Sequence, residues 1–371
     1  MKFLHLGDLH IGKKVNTFNM IEEQKYVLTQ IIDIIKEKNI DGILIAGDIF
    51  DRSVPSSEAL EVFNDFLDEI NGLKTKTYII SGNHDGADRL SFLSSFLKKS
   101  DIFISKPFSG ILESFDFNEN TKIYLMPYLY PAIIRNFYPN EEIKNYNDAI
   151  KLVINKTIID KTKINILLAH QFVIGKNMPI VSDSEQKSVG TIESIEYNIF
   201  EKFDYTALGH LHCPQKVGVD KIRYSGSLYK YSFSELNQKK CATIIEFNEK
   251  KLNIDFIPLK FKNDLAQYKG KLEDFLKPEF YENINKNDYM HFILTDEYAP
   301  DAKKRLALHF PNIMILEFDN TYTKNNSVDI NIELAKNKTI QEHFCDFYLE
   351  QTSNKIDEIK REMVDKILCD H

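Results

Sequence analysis

Five times in this chain a short apolar run ends on side chains able to hold a metal ion. Lys2–Leu6 leads into Asp8 and His10, Gly42–Ala46 into Asp48, and Thr77–Ile80 into Asn83 and His84. Ile164–Ala169 leads into His170, and Tyr205–Leu208 into His210 and His212. Apolar runs of four to six residues without helical period read as buried strands. Between the first two, Asn19–Lys38 places Val27, Leu28, Ile31, Ile32 and Ile35 on one helical stripe. Between the next two, Ser56–Asn71 opens on Ser56 or Ser57 as N-cap and is apolar at Leu60, Phe63, Phe66, Leu67 and Ile70. The order is βαβαβ, which predicts an α/β fold with a largely parallel, covered sheet. Open sheets of this kind bind ligands in the crevice at the carboxyl ends of their strands. Five distant segments are therefore expected to share one site.

The constellation is Asp8-x-His10, Gly47-Asp48, Gly82-Asn83-His84-Asp85, His170 and Gly209-His210-x-His212. Residues i and i+2 at a strand end point the same way, so Asp8 can act with His10 and His210 with His212. Taken alone, D-x-H carries no information, and G-N-H-D is as readily a turn. Five such elements in order, each after an apolar run, are hard to reconcile with isolated turns and core histidines. Two aspartates, one amide and four imidazoles are too many donors for one ion. They suit two ions bridged by a carboxylate, ~3.5–4 Å apart. Donors of oxygen and imidazole nitrogen without thiolate favour Mn²⁺ and tolerate Mg²⁺, Fe²⁺ or Zn²⁺.

Charge excludes little. With 47 Lys+Arg against 55 Asp+Glu the net charge is −8, which does not advertise a nucleic-acid binder. Lys13-Lys14, Lys98-Lys99, Lys239-Lys240, Lys250-Lys251 and Lys303-Lys304-Arg305 each read as solvated surface patches. No apolar run approaches the ~20 residues that cross a bilayer. His5 and Asp8 interrupt any signal-peptide core, so a cytoplasmic protein without membrane attachment is expected. Cys213, Cys241, Cys345 and Cys369 form no C-x-x-C pair, so no zinc finger or disulfide framework is expected. Cys213 beside His212 is read as core by strand alternation. The aromatic stretch Tyr124–Tyr130 reads as core, with a base-stacking surface as the alternative.

Further along, Ile222–Tyr224, Ala242–Phe247 and Leu252–Pro258 read as strands, and the first domain is drawn as 1–262. A small α+β unit over 263–319 has Tyr289–Leu294 and Ile313–Phe318 as strands and Pro300–Phe310 as helix. Residues 320–338 are polar and read as a linker. The tail, 339–371, has two helical patterns, the second with Ile356, Ile359, Met363, Val364, Ile367 and Leu368 on one face. That face is suited to docking on a partner or on the chain's own body.

These residues resemble the calcineurin-like metallophosphoesterase family over Met1 to about Lys262. Gly47-Asp48-Ile49-Phe50-Asp51-Arg52 with Pro55-Ser56, and Ser182-Asp183-Ser184-Glu185 with Val189-Gly190, resemble its bacterial DNA-nuclease branch. The resemblance implies a two-sheet metallophosphoesterase domain, a small capping domain that helps present DNA, and a C-terminal helical tail that binds an SMC-like ATPase. It implies Asp8, His10, Asp48 and His212 around one metal and Asp48, Asn83, His170 and His210 around the other. His84 is implied to face the scissile phosphate, with Asp85 orienting it. Asp51 stands where some relatives carry a second histidine. The implied activity is hydrolysis of DNA phosphodiesters, exonucleolytic and endonucleolytic, by a hydroxide activated between two metals. Its expected settings are DNA end, hairpin and break processing in repair, recombination and replication. A homodimer is implied as well. The alternatives are a small-molecule or protein phosphatase on the same fold and a non-catalytic scaffold, which would lack ligands that are all present here.

Overall fold

In the computed structural model all five apolar runs are strands, but two sheets share them. The structure describes residues 1–319 apart from residues 93 and 186–192, and beyond 319 only Phe344, Tyr348, Ile356, Lys360 and Arg361. The expected linker over 320–338 and, those isolated positions aside, the helical tail over 339–371 lie outside the described residues. The chain divides into two compact units, 1–267 with 287–291, and 268–286 with 292 onward.

The first sheet runs in the order Lys251–Pro258, Cys241–Asn248, Lys2–Leu6, Gly42–Ala46, Lys76–Ile80, Ile102–Ile104. Its last four strands are parallel, with Phe3 opposite Gly42 and Ala46 opposite Ile80. The hairpin 241–258 adds antiparallel against Lys2–Leu6. Helices Ile21–Lys38 and Ser57–Gly72 are the crossovers of the parallel part. The second is capped by Ser56 Oγ, which accepts from Ala59 N at 3.2 Å. Three of the five runs therefore lie in one covered, largely parallel sheet.

The other two lie in a second sheet, ordered Gln215–Val217, Val219–Tyr224, Tyr205–Gly209, Ile164–His170, Thr121–Met126, Glu113–Asn118. The two sheets face each other across one core. Phe3, Leu44, Tyr78 and Ile245 come from the first, and Ile123, Leu125, Ile166, Leu168 and Tyr205 from the second. Helix Tyr146–Lys156 covers the outer face of the second sheet with Ala149, Ile150, Val153 and Ile154. Tyr124 is core, as expected, while Tyr130 at the end of that aromatic stretch is exposed. Cys213 is only half-buried, so the core reading for it does not hold.

A further three-stranded sheet has the order Leu265–Gly270, Tyr289–Leu294, Ile313–Phe318. The expected helix over Pro300–Phe310 is shorter, Ala302–Ala307. Phe292 packs as a tilted ring against Phe275 and Phe310, with centroids 5.0 and 5.1 Å apart. No helix among the described residues is long and apolar enough to cross a membrane.

One polar link crosses the main core. His5, fully buried, has Nδ1 3.0 Å from Tyr205 Oη and Nε2 3.2 Å from the Leu208 carbonyl. A carbonyl only accepts, so Nε2 carries the proton and Nδ1 accepts from the tyrosine hydroxyl. Burial pushes this imidazole down to about 3. Between pH 6.5 and about 3 the unfolded chain binds a proton here that the folded chain does not, so stability falls as pH falls through that window. At pH 5 the loss from this one residue is about 2 kcal/mol. Urea unfolding of a His5→Gln variant should accordingly show a shallower decline from pH 7 to 5 than the parent. Equal slopes would mean that His5 is not the titrating group.

Candidate metal centre

The loops that leave the first sheet run side by side, with Asp8 N donating to Gly47 O at 3.0 Å and His10 N to Asp48 O at 2.9 Å. This doubled turn forces Asp8, His10 and Asp48 into left-handed backbone, with φ of 53°, 45° and 50°, and His210 in the other sheet has φ 111°. L-residues adopt such conformations at a cost of order ~1–3 kcal/mol each, typically at functional sites. The two sheets converge here so closely that a Cβ on Gly209 would lie 1.9 Å from the Ala46 carbonyl oxygen. Glycine at 209 is thus a packing requirement of the convergence.

All seven expected ligands are gathered by this convergence. Asp48 Oδ2 lies 3.6 Å from His10 Nε2 and 3.3 Å from His170 Nε2. On the first side, His10 Nε2 and His212 Nε2 face each other at 3.1 Å, and Asp8, His10 and His212 offer donor atoms within 4.8 Å of one another. On the second side, Asn83 Oδ1 lies 3.0 Å from His170 Nε2 and 3.1 Å from His210 Nδ1. Two groups of side chains thus share one carboxylate oxygen. Asp8, His10, Asp48, His170, His210 and His212 are all buried.

His84 sits at the rim. Its backbone N–H donates to Asp48 Oδ1 at 2.8 Å, and its ring Nδ1 donates to the Asp51 carbonyl at 2.9 Å, which leaves Nε2 as the free face of the ring. Its ring also approaches His10 and Asp48 closely enough to complete a third donor group. Asp85, which the resemblance implies orients His84, turns its carboxylate to backbone N–H groups. Its carboxylate accepts from the N–H groups of Ile49, Phe50 and Gly82 at 3.1, 3.0 and 2.9 Å. Asp85 therefore fastens two strand-end loops together, because the turn that directs His84 outward directs its neighbour inward. Asp51 accepts from Lys13 Nζ at 2.7 Å, which makes Lys13 part of the site's rim and not a solvated patch.

Burial drives His10, His210 and His212 below the usual histidine range, to about 3 for His210. All three are neutral donors at pH 7. Burial also opposes charge on His170, yet Asp48 beside it raises that imidazole to about 9. Burial likewise opposes ionisation of Asp48, but the charge and hydrogen bond of His170 hold it well below the carboxylate range. Burial first, and then the Asp48 charge, keep Asp8 well above that range. Convergent imidazole nitrogens, carboxylate oxygens and an amide oxygen, without thiolate, fit a pair of divalent cations.

Behind His212 lies a polar cluster that sequence reasoning missed. Glu235 and Lys240 are fully withdrawn from solvent and paired at 2.6 Å. Lys240, read from its neighbour Lys239 as a surface residue, is 2% exposed. A second miss is Gln24, which holds the loop carrying His10. Its Nε2 donates to the carbonyls of Leu9 and His10, and its Oε1 accepts from Gly12 N. Its only sequence signal was a polar residue next to the apolar stripe of its helix.

A family model described as calcineurin-like phosphoesterase matches residues 1–214. The SbcD subunit of the SbcCD nuclease from Staphylococcus epidermidis is 33% identical over 377 residues, covering 99% of this chain and 98% of the relative. Among solved structures, a dimetal phosphatase from Danio rerio covers 69% of this chain and 95% of its own, at 12% identity and a TM-score of 0.40. The Escherichia coli phosphoesterase Yfce covers 69% of this chain and 100% of its own, at 11% identity and a TM-score of 0.27. The chain belongs to the calcineurin-like phosphoesterase family, as a homologue of the SbcD nuclease subunits.

Proposed function

We propose that this chain is a two-metal phosphodiesterase of DNA, the nuclease subunit that works with an SbcC-type ATPase. The observation that carries the reading is the shared Asp48 Oδ2, between His10 Nε2 at 3.6 Å and His170 Nε2 at 3.3 Å. Asp8, His10, Asp48 and His212 would hold one divalent ion, and Asp48, Asn83, His170 and His210 the other, with Mn²⁺ best suited to this donor set. When bound, such a pair supplies an activated water and neutralises charge on the phosphodiester. His84 presents Nε2 to the phosphodiester, to stabilise its developing charge or to protonate the leaving oxygen. Asp85 and Gln24 keep the loops that carry Asp48, His84 and His10 in place. Substrate class and partner follow the near full-length relative, named as part of a nuclease complex.

The partner-binding element is proposed to be the tail over 339–371, and the α+β unit over 263–319 to be the cap that presents DNA. A homodimer in the cytoplasm is proposed too. An apolar groove of about 620 Å³ beside helix Ser57–Gly72, lined by Val54, Leu60, Leu67 and Phe92, offers a surface for self-association.

The test is cleavage of linear double-stranded DNA by the purified chain with Mn²⁺, alone and with the ATPase. Chelation should abolish cleavage and Mn²⁺ should restore it best among the divalent ions, while removal of 339–371 should abolish any stimulation by the ATPase. Undiminished cleavage after verified metal removal would overturn the two-metal reading. Hydrolysis of phosphomonoesters without DNA cleavage would favour a phosphatase on the same fold.

A further inference from the structure

Each imidazole of the centre is steadied differently on its outward side. His170 Nδ1 donates to the Ala46 carbonyl at 2.7 Å. His10 Nδ1 is buried without a hydrogen bond, with Asp51 Oδ1 3.9 Å away. His212 is gripped at three points. Its N–H donates to Glu185 Oε1 at 2.6 Å, its carbonyl accepts from Lys240 Nζ at 2.8 Å, and its Nδ1 lies 2.7 Å from Ser184 Oγ. Ser184 in turn meets Glu235 Oε1, and Glu235 Oε2 is 2.6 Å from Lys240 Nζ.

The proton positions in this chain are forced. A carboxylate paired with a lysine ammonium has no proton to give, so the Ser184 hydroxyl donates to Glu235. Ser184 Oγ must then accept from His212 Nδ1–H, which leaves Nε2 bare and turned toward His10. Ser227 Oγ and Gln238 Oε1 also lie 2.9 and 2.8 Å from Lys240 Nζ, so four acceptors surround its three N–H groups and the ammonium stays charged against Glu235.

We propose that Glu235, paired with Lys240 and joined through the Ser184 hydroxyl to His212 Nδ1, is a positioning residue that fixes the His212 tautomer and so sets how tightly the Asp8–His10–His212 group holds its cation. The inference rests on the two-metal reading and extends it to residues that touch neither metal nor substrate. Carboxylates that orient a metal-binding histidine in this way are worth ~10–100-fold in metal affinity. The same contacts make the loop at 182–185 a structural part of the centre, since Ser182 N donates to Glu185 Oε2 and Asp183 N to Ser234 Oγ.

The experiment is calorimetric titration of the metal-free full chain with MnCl₂. Glu235→Gln alone would strand a buried ammonium and endanger the fold, so Glu235→Gln is combined with Lys240→Met, and Ser184→Ala is titrated beside it. The expected result is that one of two Mn²⁺ positions weakens ~10–100-fold in both variants while the other keeps its affinity. Ser184→Thr, which restores the hydroxyl, should recover the parent value, and melting of the metal-free Ser184→Ala protein should match the parent. Parental affinity at both positions in the double variant, or in Ser184→Ala should the double variant not fold, overturns the proposal. Equal weakening of both positions together with a lowered melting point overturns it as well, because the cluster would then be a structural support only. A parent chain that takes up no pair of Mn²⁺ ions would instead refute the two-metal reading.

Discussion

Replacing His84 with alanine is expected to slow phosphodiester cleavage by ~10²–10⁴-fold, the usual worth of a general acid or base, with Mn²⁺ bound at the parent stoichiometry. The expectation follows from how the ring is held. Its Nδ1 is committed to the Asp51 carbonyl at 2.9 Å, so a single nitrogen faces the site. The contact that His84 makes with Asp48 uses the backbone N–H, which alanine retains. Truncation therefore removes the ring and leaves the bridging carboxylate with its hydrogen bond. Kinetics run alongside elemental analysis separate this role from the alternative left open by the third donor group of His10, Asp48 and His84. If the variant loses metal in proportion to rate, His84 is a ligand and its assignment as the phosphate-facing group fails.

Asp48→Asn should do the reverse and empty both metal positions, taking activity down to that of the metal-free protein. Asparagine matches aspartate in size, keeps an acceptor for the His84 N–H and tolerates the left-handed backbone at φ 50°. The change therefore removes charge with little else disturbed. That charge faces His10 on one side and His170 on the other, so both positions lose their common anion. His170, raised to about 9 by Asp48, should also relax toward the ordinary histidine range, which NMR titration of the metal-free variant would register. Retention of both ions by Asp48→Asn would show that the bridge lies elsewhere.

The strands and crossover helices were legible because each depends on local pattern, an apolar run or a stripe at helical spacing. Two sheets were implied by the resemblance, but which run joins which sheet was not legible, since nothing in Ile164–Ala169 or Tyr205–Leu208 records which neighbour it pairs with. The candidate ligands were legible for a related reason. A strand end is a fixed place in an α/β fold, and polar groups there stand out against apolar runs. The residues behind them do not stand out. Glu235 and Lys240 lie in a polar stretch, and only the fold shows that burial pairs them. Asp85 is next to His84 in the chain, yet only the fold shows that its carboxylate is committed to the N–H groups of Ile49, Phe50 and Gly82. Leu60 was assigned to the buried stripe of its helix yet is 50% exposed, at the edge of the apolar groove.

The convergence of two sheets on one centre also has a bearing on biosynthesis. His10 and His212 meet across 202 positions of sequence, and the strand that leads to Asp8 gains its second neighbour only when Cys241–Asn248 pairs with it. Contacts of such separation form late, after the closure of long loops. A ribosome-bound chain that has not yet released Asn248 thus carries Asp8, His10 and Asp48 on an incomplete sheet. The strand that leads to Asp8 and His10 is thereby among the last parts of its sheet that synthesis can complete.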